Sequence, residues 1–312
     1  MKLGIIIPCY NEEEGLKETS NHLQTLLMQM IKSGKIAANS FICYVDDGST
    51  DRTWQIIESF SKQSDLFKGI KLSRNFGHQN ALISGLMQLK SDADALISMD
   101  ADLQDDVQLI NEFVAKFKEG YEVIYGVRED RSKDTHFKRI SAEFFYRFQT
   151  YMGIDTVSNH ADYRLLSSKA LQTLSEFKEI NPFLRGIVPL MGYRSCSLHY
   201  SRAERFAGET KYSLTKMLFF ALDGVVSFSV KPLRLITLTG FLISFLSLLV
   251  IFWVVFEKIF LGTTVDGWAS MMISIYLIGG IQLISIGIIG EYIGRIFQQS
   301  KGRPRYIIDK EI

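Results

Sequence analysis

The chain has 312 residues, of which 47% are hydrophobic and 22% are charged. This length suits one large domain or two modest ones, and the composition is too apolar for a disordered protein. A net charge of +1 argues against a whole-protein nucleic-acid binder, because such proteins carry a basic face. The three cysteines are scattered and odd in number, which implies neither a disulfide framework nor a zinc site and favours reduced thiols facing the cytosol.

The first two hundred residues alternate between short apolar runs and segments with helical periodicity. This pattern predicts an α/β fold with an open, mostly parallel sheet, in which ligands bind beyond the carboxyl ends of the strands. The strands are predicted over Leu3–Pro8, Phe41–Val45, Ile70–Leu72, Ala93–Met99 and Glu122–Tyr125. The helices are predicted over Asn11–Ile31, Asp51–Gln63, Gly77–Leu89 and Val107–Lys118, the second with Ser49 or Thr50 as N-cap.

Two polar motifs follow the first two predicted strands. In Pro8–Glu12 (PCYNE) the proline is expected to stop the strand, and Asn11 and Glu12 offer donors and acceptors to a base or ribose. The start of an ordinary helix explains this motif equally well. Asp46–Asp51 (DDGSTD) combines an acidic pair with glycine and hydroxyls, which a loop needs to bend sharply and hydrogen-bond a nucleoside. The alternative is a solvated turn that caps the next helix.

The motif Asp100–Gln104 (DADLQ) follows the fourth predicted strand. Two carboxylates at i and i+2 beyond an extended segment point to the same side, and their repulsion is costly unless a cation lies between them. Mg²⁺ or Mn²⁺ is held in this way by carboxylates together with substrate phosphates, and Gln104 or a water could complete the shell. A lone D-x-D is weak evidence, but this one lies at the predicted ligand-binding edge with an acidic pair upstream.

Basic residues follow the fifth predicted strand and recur near residue 208. Arg128 and Arg139 could grip phosphate oxygens bidentately, with a solvated basic loop as the alternative. Gly208, flanked by Arg205 and Lys211, could wrap a phosphate, with a patch attracted to anionic lipids as the alternative.

Two stretches without charged residues, Leu235–Phe256 and Trp268–Gly290, are each long enough to cross a bilayer, and a pair of buried core helices is the alternative. Lysines and arginines flank their outer ends, so the positive-inside rule places the large N-terminal domain in the cytoplasm. The segment 213–230 has the apolar spacing of a helix in the membrane interface or of one packed on the soluble domain. No signal peptide is expected at the N-terminus.

The motifs PCYNE, DDGSTD, DADLQ and R-x-x-G-x-T-K occur in this order, ahead of two terminal spans. The chain thereby resembles the polyprenyl-phosphate glycosyltransferases of glycosyltransferase family 2, which have a GT-A fold, and in particular the bacterial undecaprenyl-phosphate glucosyltransferases related to dolichyl-phosphate mannose synthases. Ser73–Leu82 also looks like a family segment, whereas Thr210 stands where the family usually has serine and keeps the hydroxyl. The Q-x-x-R-W signature of processive polysaccharide synthases is absent from the sequence.

The resemblance implies inverting transfer of a hexose, glucose from UDP-glucose, to undecaprenyl phosphate at the cytoplasmic face of a bacterial inner membrane. The product would be a β-linked lipid-phosphate sugar for the cell envelope, such as O-antigen, and the cofactor would be Mg²⁺ or Mn²⁺. Transfer to a glycolipid or polysaccharide, mannosyl transfer from GDP-mannose, and a non-catalytic nucleotide-sugar sensor are the alternatives. A flippase and a second glycosyltransferase are the expected downstream partners, and the glycine-bearing spans permit a homo-oligomer.

The resemblance also divides the chain into parts. It implies a cytoplasmic GT-A catalytic domain over 1–212, a juxtamembrane amphipathic segment over 213–232, transmembrane helices over 233–257 and 267–291, and a cytoplasmic tail over 292–312.

Residue roles follow from the same resemblance. The nucleotide sugar is assigned to Pro8, Tyr10, Asn11, Glu12, Asp46, Asp47, Arg74 and Asp100, and the metal to Asp100, Asp102 and Gln104. Contacts with donor or acceptor phosphates are assigned to Arg128, Arg139, Arg205 and Lys211. Asp162 matches a position considered a base or an acceptor-positioning carboxylate. Because a lipid phosphate with a second pKa of about 6 is largely ionised near neutral pH, no general base is required. Asp162 is therefore expected to orient a sugar hydroxyl or a cationic side chain.

Overall fold

A computed structural model describes residues 1–128, 160–179, 182–201, 231–260 and 267–312. They fall into two units. A sheet unit contains the described residues up to 201 together with 303–312, and a helical unit contains 231–260 and 267–302. Arg139, Arg205, Lys211 and the predicted interfacial segment 213–230 lie outside the described residues.

The sheet unit is built on one eight-stranded sheet. Its strands are β1 (Leu3–Cys9), β2 (Phe41–Asp46), β3 (Phe67–Leu72), β4 (Ala95–Ser98), β5 (Val123–Arg128), β6 (His160–Ser167), β7 (Ser195–Tyr200) and β8 (Ile308–Glu311). They lie in the order β7-β5-β6-β4-β1-β2-β3-β8. The centre is parallel, whereas β6 runs antiparallel to β4 and β5, and β8 runs antiparallel to β3. The predicted α/β class is confirmed, and β6, β7 and β8 are additions that the sequence patterns do not predict.

Helices cover both faces of this sheet. They are α1 (Leu16–Lys32), α2 (Thr53–Gln63), α3 (His78–Gln88), α4 (Ile110–Lys118), α5 (Ser168–Leu174) and α6 (Leu184–Leu190), with a 3₁₀ turn at Val107–Leu109 before α4. Successive strand residues point to opposite faces. Ile5 and Ile7 join the buried core formed with α1, α2 and α4. Ile6 and Val45 face α3, and a Cβ at Gly85 would lie 2.5 Å from Ile6 Cγ2.

Three local expectations about strand and helix ends are wrong. Pro8 does not stop β1, because its nitrogen faces β4 beyond the last pair of these strands, Ile6 with Ser98, where no hydrogen bond is lost. The first helix begins at Leu16, after a loop. In α2 neither Ser49 nor Thr50 is the N-cap, since the Thr53 amide donates to the Asp51 carboxylate at 2.9 Å.

The helical unit consists of α7 (Lys231–Phe260) and α8 (Trp268–Ser300), with 30 and 33 residues. At a rise of 1.5 Å per residue they are about 45–50 Å long, more than the roughly 30 Å of a bilayer core. Within the described residues, one segment, Leu277–Ser300, is apolar and long enough to cross a membrane by length and composition. The two predicted spans stay a prediction, and α8 continues past the predicted end of the second span at 291.

The C-terminal residues return to the sheet as β8. Gly69 and Ile312 exchange two backbone hydrogen bonds, each 2.9 Å long, and the Ser73 amide donates to the Ile307 carbonyl at 3.0 Å. The short run IDKE has no uninterrupted apolar pattern, which is why the sequence predicts a tail rather than a strand. Residues before and after the helical unit therefore belong to one sheet.

Candidate active site

The two motifs that follow β1 and β2 are joined by hydrogen bonds into one surface. The Asn11 amide donates to Ser49 Oγ at 3.0 Å, and the Thr50 amide donates to Asn11 Oδ1 at 2.9 Å. The Glu12 amide donates to Thr53 Oγ1 at 2.9 Å. Asn11 adopts a φ of 55°, a left-handed conformation that asparagine tolerates better than most residues. These contacts fix both loops before any ligand binds.

Asp47 and Gly48 join the β2 loop to the loop after β3. The Asp47 carboxylate accepts hydrogen bonds from the amides of Phe76 at 2.7 Å and Gly77 at 2.9 Å. Gly48 has a φ of 68°, and a Cβ there would lie 2.4 Å from the carbonyl carbon of Arg74. Glycine is therefore required at this point of DDGSTD. Asp47, predicted to bind the nucleoside, uses both oxygens to hold this loop.

The other residues predicted to bind the nucleotide sugar differ in their exposure. Asp46 accepts from the Ser49 amide through Oδ1 at 3.2 Å, whereas its Oδ2 is buried without a hydrogen-bond partner among the described residues. Burial raises the pKa of this carboxyl. Tyr10 is 44% exposed, and the exposed Arg74 guanidinium lies 4.0 Å from the centre of the Phe76 ring. Tyr10 and Arg74 are therefore open to a ligand, whereas the Asp46 carboxylate is fully buried at the end of β2.

The DADLQ residues lie on a turn rather than on an extended segment. The strand before them ends at Ser98, and Leu103 has a φ of 54°, so the i and i+2 rule for strands does not apply here. The buried Gln104 donates its amide to Asp102 Oδ1 at 3.2 Å. Sequence reasoning therefore identifies a carboxylate pair whose local geometry it describes wrongly.

Asp100 is the member of this pair with the clearest need for a cation. Burial raises the pKa of its carboxyl to about 6, with His78 opposing the shift and neighbouring carboxylates adding to it. Its closest cations are His78 Nε2 at 3.6 Å and Arg128 Nη2 at 3.9 Å. A divalent ion would relieve this cost, so the oxygen donors fit Mg²⁺ or Mn²⁺. Across the described ranges, no three or more His, Cys, Asp or Glu side chains converge as a ready-made metal site.

Asp162 lies on β6, and the antiparallel pairing places it beyond the end of β4. Ser98 pairs with Arg164, which leaves Asp162 at the same edge as DADLQ. Its carboxylate forms an ion pair with the fully buried Arg164 and accepts from Gln79 Nε2 at 3.1 Å. His78 Nε2 and Arg185 Nε each lie 3.5 Å away.

The surroundings of Asp162 decide its protonation. Although burial opposes the shift, His78 and the two arginines hold the pKa of Asp162 well below its usual range. A carboxylate held in this way is a poor proton acceptor near neutral pH. The arrangement favours the expectation that Asp162 orients cationic side chains.

Arg128, predicted as a phosphate ligand, extends from the end of β5. Its Nη2 lies 3.1 Å from Asp105 Oδ1, and its Nε donates to the Tyr200 hydroxyl at 3.1 Å. Although burial opposes the shift, Asp105 and Tyr200 raise the pKa of Arg128. Much of its charge is therefore already balanced, and the side chain also stabilises the turn that carries Asp100.

Several residues of the site carry no predicted role: His78, Gln79, Asp105, Arg164, Arg185 and Tyr200. His78 and Gln79 lie within Ser73–Leu82, a segment that the family resemblance already singles out. Asp105 directly follows DADLQ. Arg185 and Tyr200 come from α6 and β7, and no sequence pattern connects these elements with the motifs.

A family model described as Glycosyl transferase family 2 matches residues 4–175, and one described as the GtrB C-terminal hairpin matches residues 231–296. The chain is 49% identical over 310 residues to the uncharacterized glycosyltransferase YkoT of Bacillus subtilis strain 168, with 99% of this chain and 92% of YkoT covered. It is 35% identical over 315 residues to the bactoprenol glucosyl transferase of Shigella phage SfV, with 100% of this chain and 99% of that protein covered.

A solved structure shares the fold. The mannosyltransferase PcManGT of Pyrobaculum calidifontis, in complex with GDP-Man and Mn²⁺, superposes with a TM-score of 0.50 at 15% identity. The match covers 75% of this chain and 64% of that one. Similarity at this level extends to the arrangement of strands and helices in the sheet unit.

Proposed function

Because the chain belongs to glycosyltransferase family 2 and is a glycosyltransferase, we propose that it transfers glucose from UDP-glucose to a polyprenyl phosphate. The similarity to the bactoprenol glucosyl transferase of Shigella phage SfV carries this proposal, because it runs through both the sheet unit and the helical hairpin. The linkage formed is β, since a single displacement inverts the anomeric carbon of an α-linked nucleotide sugar.

The order of groups along the edge of the sheet supports this reaction. The loops after β1, β2 and β3, which are hydrogen-bonded to one another, offer the exposed Tyr10 and Arg74 to the nucleoside. Asp100 follows β4 in the middle of the edge, and Asp162 lies beyond it on β6. A donor lying along this edge has its diphosphate near Asp100 and its sugar near Asp162. This order leaves the far end for the acceptor.

Asp100, Asp102 and Gln104 are the residues that would hold Mg²⁺ or Mn²⁺. The mannosyltransferase of similar fold is in complex with Mn²⁺. When bound, such an ion would stabilise the charge that builds on the departing nucleoside diphosphate. Arg128, 3.9 Å from Asp100, adds a positive charge on the same side.

The acceptor needs little proton chemistry from the protein. A phosphate monoester with a second pKa of about 6 is largely ionised near neutral pH, so its oxygen attacks without a general base. We assign to Asp162 the task of holding Arg164, Arg185 and His78 in place. Catalysis then depends on keeping two anionic substrates in line and offsetting their repulsion.

The topology of the chain suits a membrane-bound acceptor. Strands β1 to β7 and β8 lie in one sheet, so any crossing by the hairpin between β7 and β8 occurs an even number of times. We propose that α7 and α8 each cross the bacterial inner membrane, with the sheet unit and both termini in the cytoplasm as the basic flanks predict. We also propose that the protein forms a homo-oligomer and that a flippase and a second glycosyltransferase act downstream of it.

The test is a transfer assay with purified full-length protein, radiolabelled UDP-glucose, Mg²⁺ or Mn²⁺, and undecaprenyl phosphate in detergent. Label is expected in the organic phase as an acid-labile lipid. Parallel reactions with GDP-mannose or UDP-galactose, and with diacylglycerol as acceptor, test the alternatives. The proposal is overturned if no donor labels undecaprenyl phosphate, or if another donor or acceptor is clearly preferred.

A further inference from the structure

Arg185, the second residue of α6, carries a positive charge at the site that no predicted role uses. Its neighbours Leu184, Gly186 and Ile187 are buried, which fixes the backbone, while its side chain is 41% exposed. Its Nε lies 3.5 Å from Asp162 Oδ1. The helix therefore presents this guanidinium at the acceptor end of the edge described above.

Asp162 itself does not need Arg185 to balance its charge. The buried Arg164 already neutralises Asp162, because the two form a direct ion pair away from water. Gln79 supplies a further hydrogen bond to Asp162 at 3.1 Å. A second arginine is not needed to balance one carboxylate, and burying part of an extra charge costs free energy unless a ligand compensates it.

The N–H donors that Arg185 leaves available suit an anion. A guanidinium has five N–H donors in a fixed fork, and the contact with Asp162 uses Nε. Across the part of the chain that the structure describes, Nη1 and Nη2 make no hydrogen bond. An anchored Nε with an available Nη edge is the arrangement that binds two phosphate oxygens at once.

We propose that Arg185 binds the phosphate oxygens of a substrate, an inference that rests on the proposed function. Two sources provide this chemistry, the lipid phosphate and the donor diphosphate. The lipid phosphate is favoured by the order of the sheet, since β4 separates β6 from β1, the nearest strand that carries a nucleoside loop. Asp162 then acts as a positioning residue that holds Nε while the other edge of Arg185 contacts substrate.

The experiment compares Arg185→Gln and Arg185→Lys with wild type in the full-length protein. Arg194→Gln is the matched control, because Arg194 is an exposed arginine that stacks on Tyr121 elsewhere in the sheet unit. KM and kcat are measured for UDP-glucose and undecaprenyl phosphate. Calorimetric titrations with farnesyl phosphate and with UDP in Mn²⁺ follow binding without turnover, and thermal melting reports the fold.

Arg185→Gln is expected to raise the KM for undecaprenyl phosphate and the Kd for farnesyl phosphate roughly 10- to 100-fold, the usual effect of losing a charge-assisted bond. Arg185→Lys keeps the charge but not the fork, so its effect should be intermediate. A rise in the Kd for UDP alone would move the contact to the donor diphosphate. If both ligands bind each Arg185 variant within about twofold of wild type, the proposal is wrong, even where kcat or melting temperature falls.

The binding titrations do not depend on turnover, so they separate this inference from the proposed function. If wild type binds farnesyl phosphate in an Arg185-dependent way yet labels no lipid, the reaction assignment fails and the phosphate contact stands. If wild type labels the lipid and the Arg185 variants keep its KM values, the phosphate contact fails and the reaction assignment stands.

Discussion

The two halves of the sheet edge achieve order by different means. On the side of β1, β2 and β3, backbone amides and short polar side chains close three loops onto one another, and Asp47 is fully used in doing so. On the side of β4, β5 and β6, the groups are charged: Asp162 and Asp105 pair directly with arginines, whereas Asp100 has its nearest basic group, His78, 3.6 Å away. We call the first the preformed half, because its loops are held by hydrogen bonds within the protein. We call the second the charged half, because a bound ligand would complete its charge balance.

Asp47 and Asp100 show the difference most directly, because both are carboxylates that follow a central strand. Asp47 accepts two amide hydrogen bonds shorter than 3.0 Å, which makes it part of the framework. Asp100 has no basic group closer than His78 at 3.6 Å and Arg128 at 3.9 Å within the described ranges, and its pKa rises to about 6 through burial. A carboxylate left in this state is suited to binding a cation rather than to supporting a loop.

The largest expected effect comes from breaking the charged half at Asp102. In Asp102→Asn, turnover in the lipid-labelling assay should fall on the order of 10³-fold, since the lost negative charge weakens electrostatic stabilisation of the leaving diphosphate. Melting temperature should change little, because this side chain lies on a surface turn. Asp92→Asn is the control, as Asp92 pairs with Lys68 at 2.9 Å at a partly exposed position away from DADLQ. Activity close to wild type in Asp102→Asn would remove the metal-binding role proposed for it.

Breaking the preformed half should give a smaller loss that appears first in stability and nucleotide binding. Gly48 and Gly34 both have φ near 70°, so alanine costs about 1–2 kcal/mol at either position. Only at Gly48 does the new Cβ meet the Arg74 backbone, which adds about 1–3 kcal/mol. Chemical denaturation and UDP titration should show Gly48→Ala less stable than Gly34→Ala and roughly tenfold weaker in UDP binding. Equal stability and equal UDP affinity in the two variants would contradict the contact between the β2 and β3 loops.

The contrast between the two halves also explains what could be predicted from the sequence. The loops after β1, β2 and β4 follow apolar runs and contain residues typical of turns, so their motifs and their order can be predicted from the sequence. Arg164 lies two residues from Asp162 on β6, but the antiparallel return that brings this pair to the site, and the placement of α6 that brings Arg185, follow from no local pattern. The same reason hides β8, whose pairing with β3 joins residues more than two hundred positions apart.

The pairing of β8 with β3 provides the mildest way to change the preformed half. Ile307 accepts from the Ser73 amide, and the next residues along the chain carry the loop that Asp47 holds through Phe76 and Gly77. Removing residues 307–312 should therefore loosen this loop first, and should reach the charged half only through His78 and Gln79, which follow Gly77 and contact Asp162.

We expect this truncation to raise the KM for UDP-glucose a few-fold, corresponding to about 1 kcal/mol, and to raise the KM for undecaprenyl phosphate less. Lys310→Ala keeps the backbone bonds of β8 and is the control, because its side chain is exposed. Steady-state kinetics with each substrate varied in turn makes the comparison. Equal rises in both KM values would mean that β8 supports the sheet as a whole, whereas a selective rise would show that the nucleoside half is ordered partly by the end of the chain.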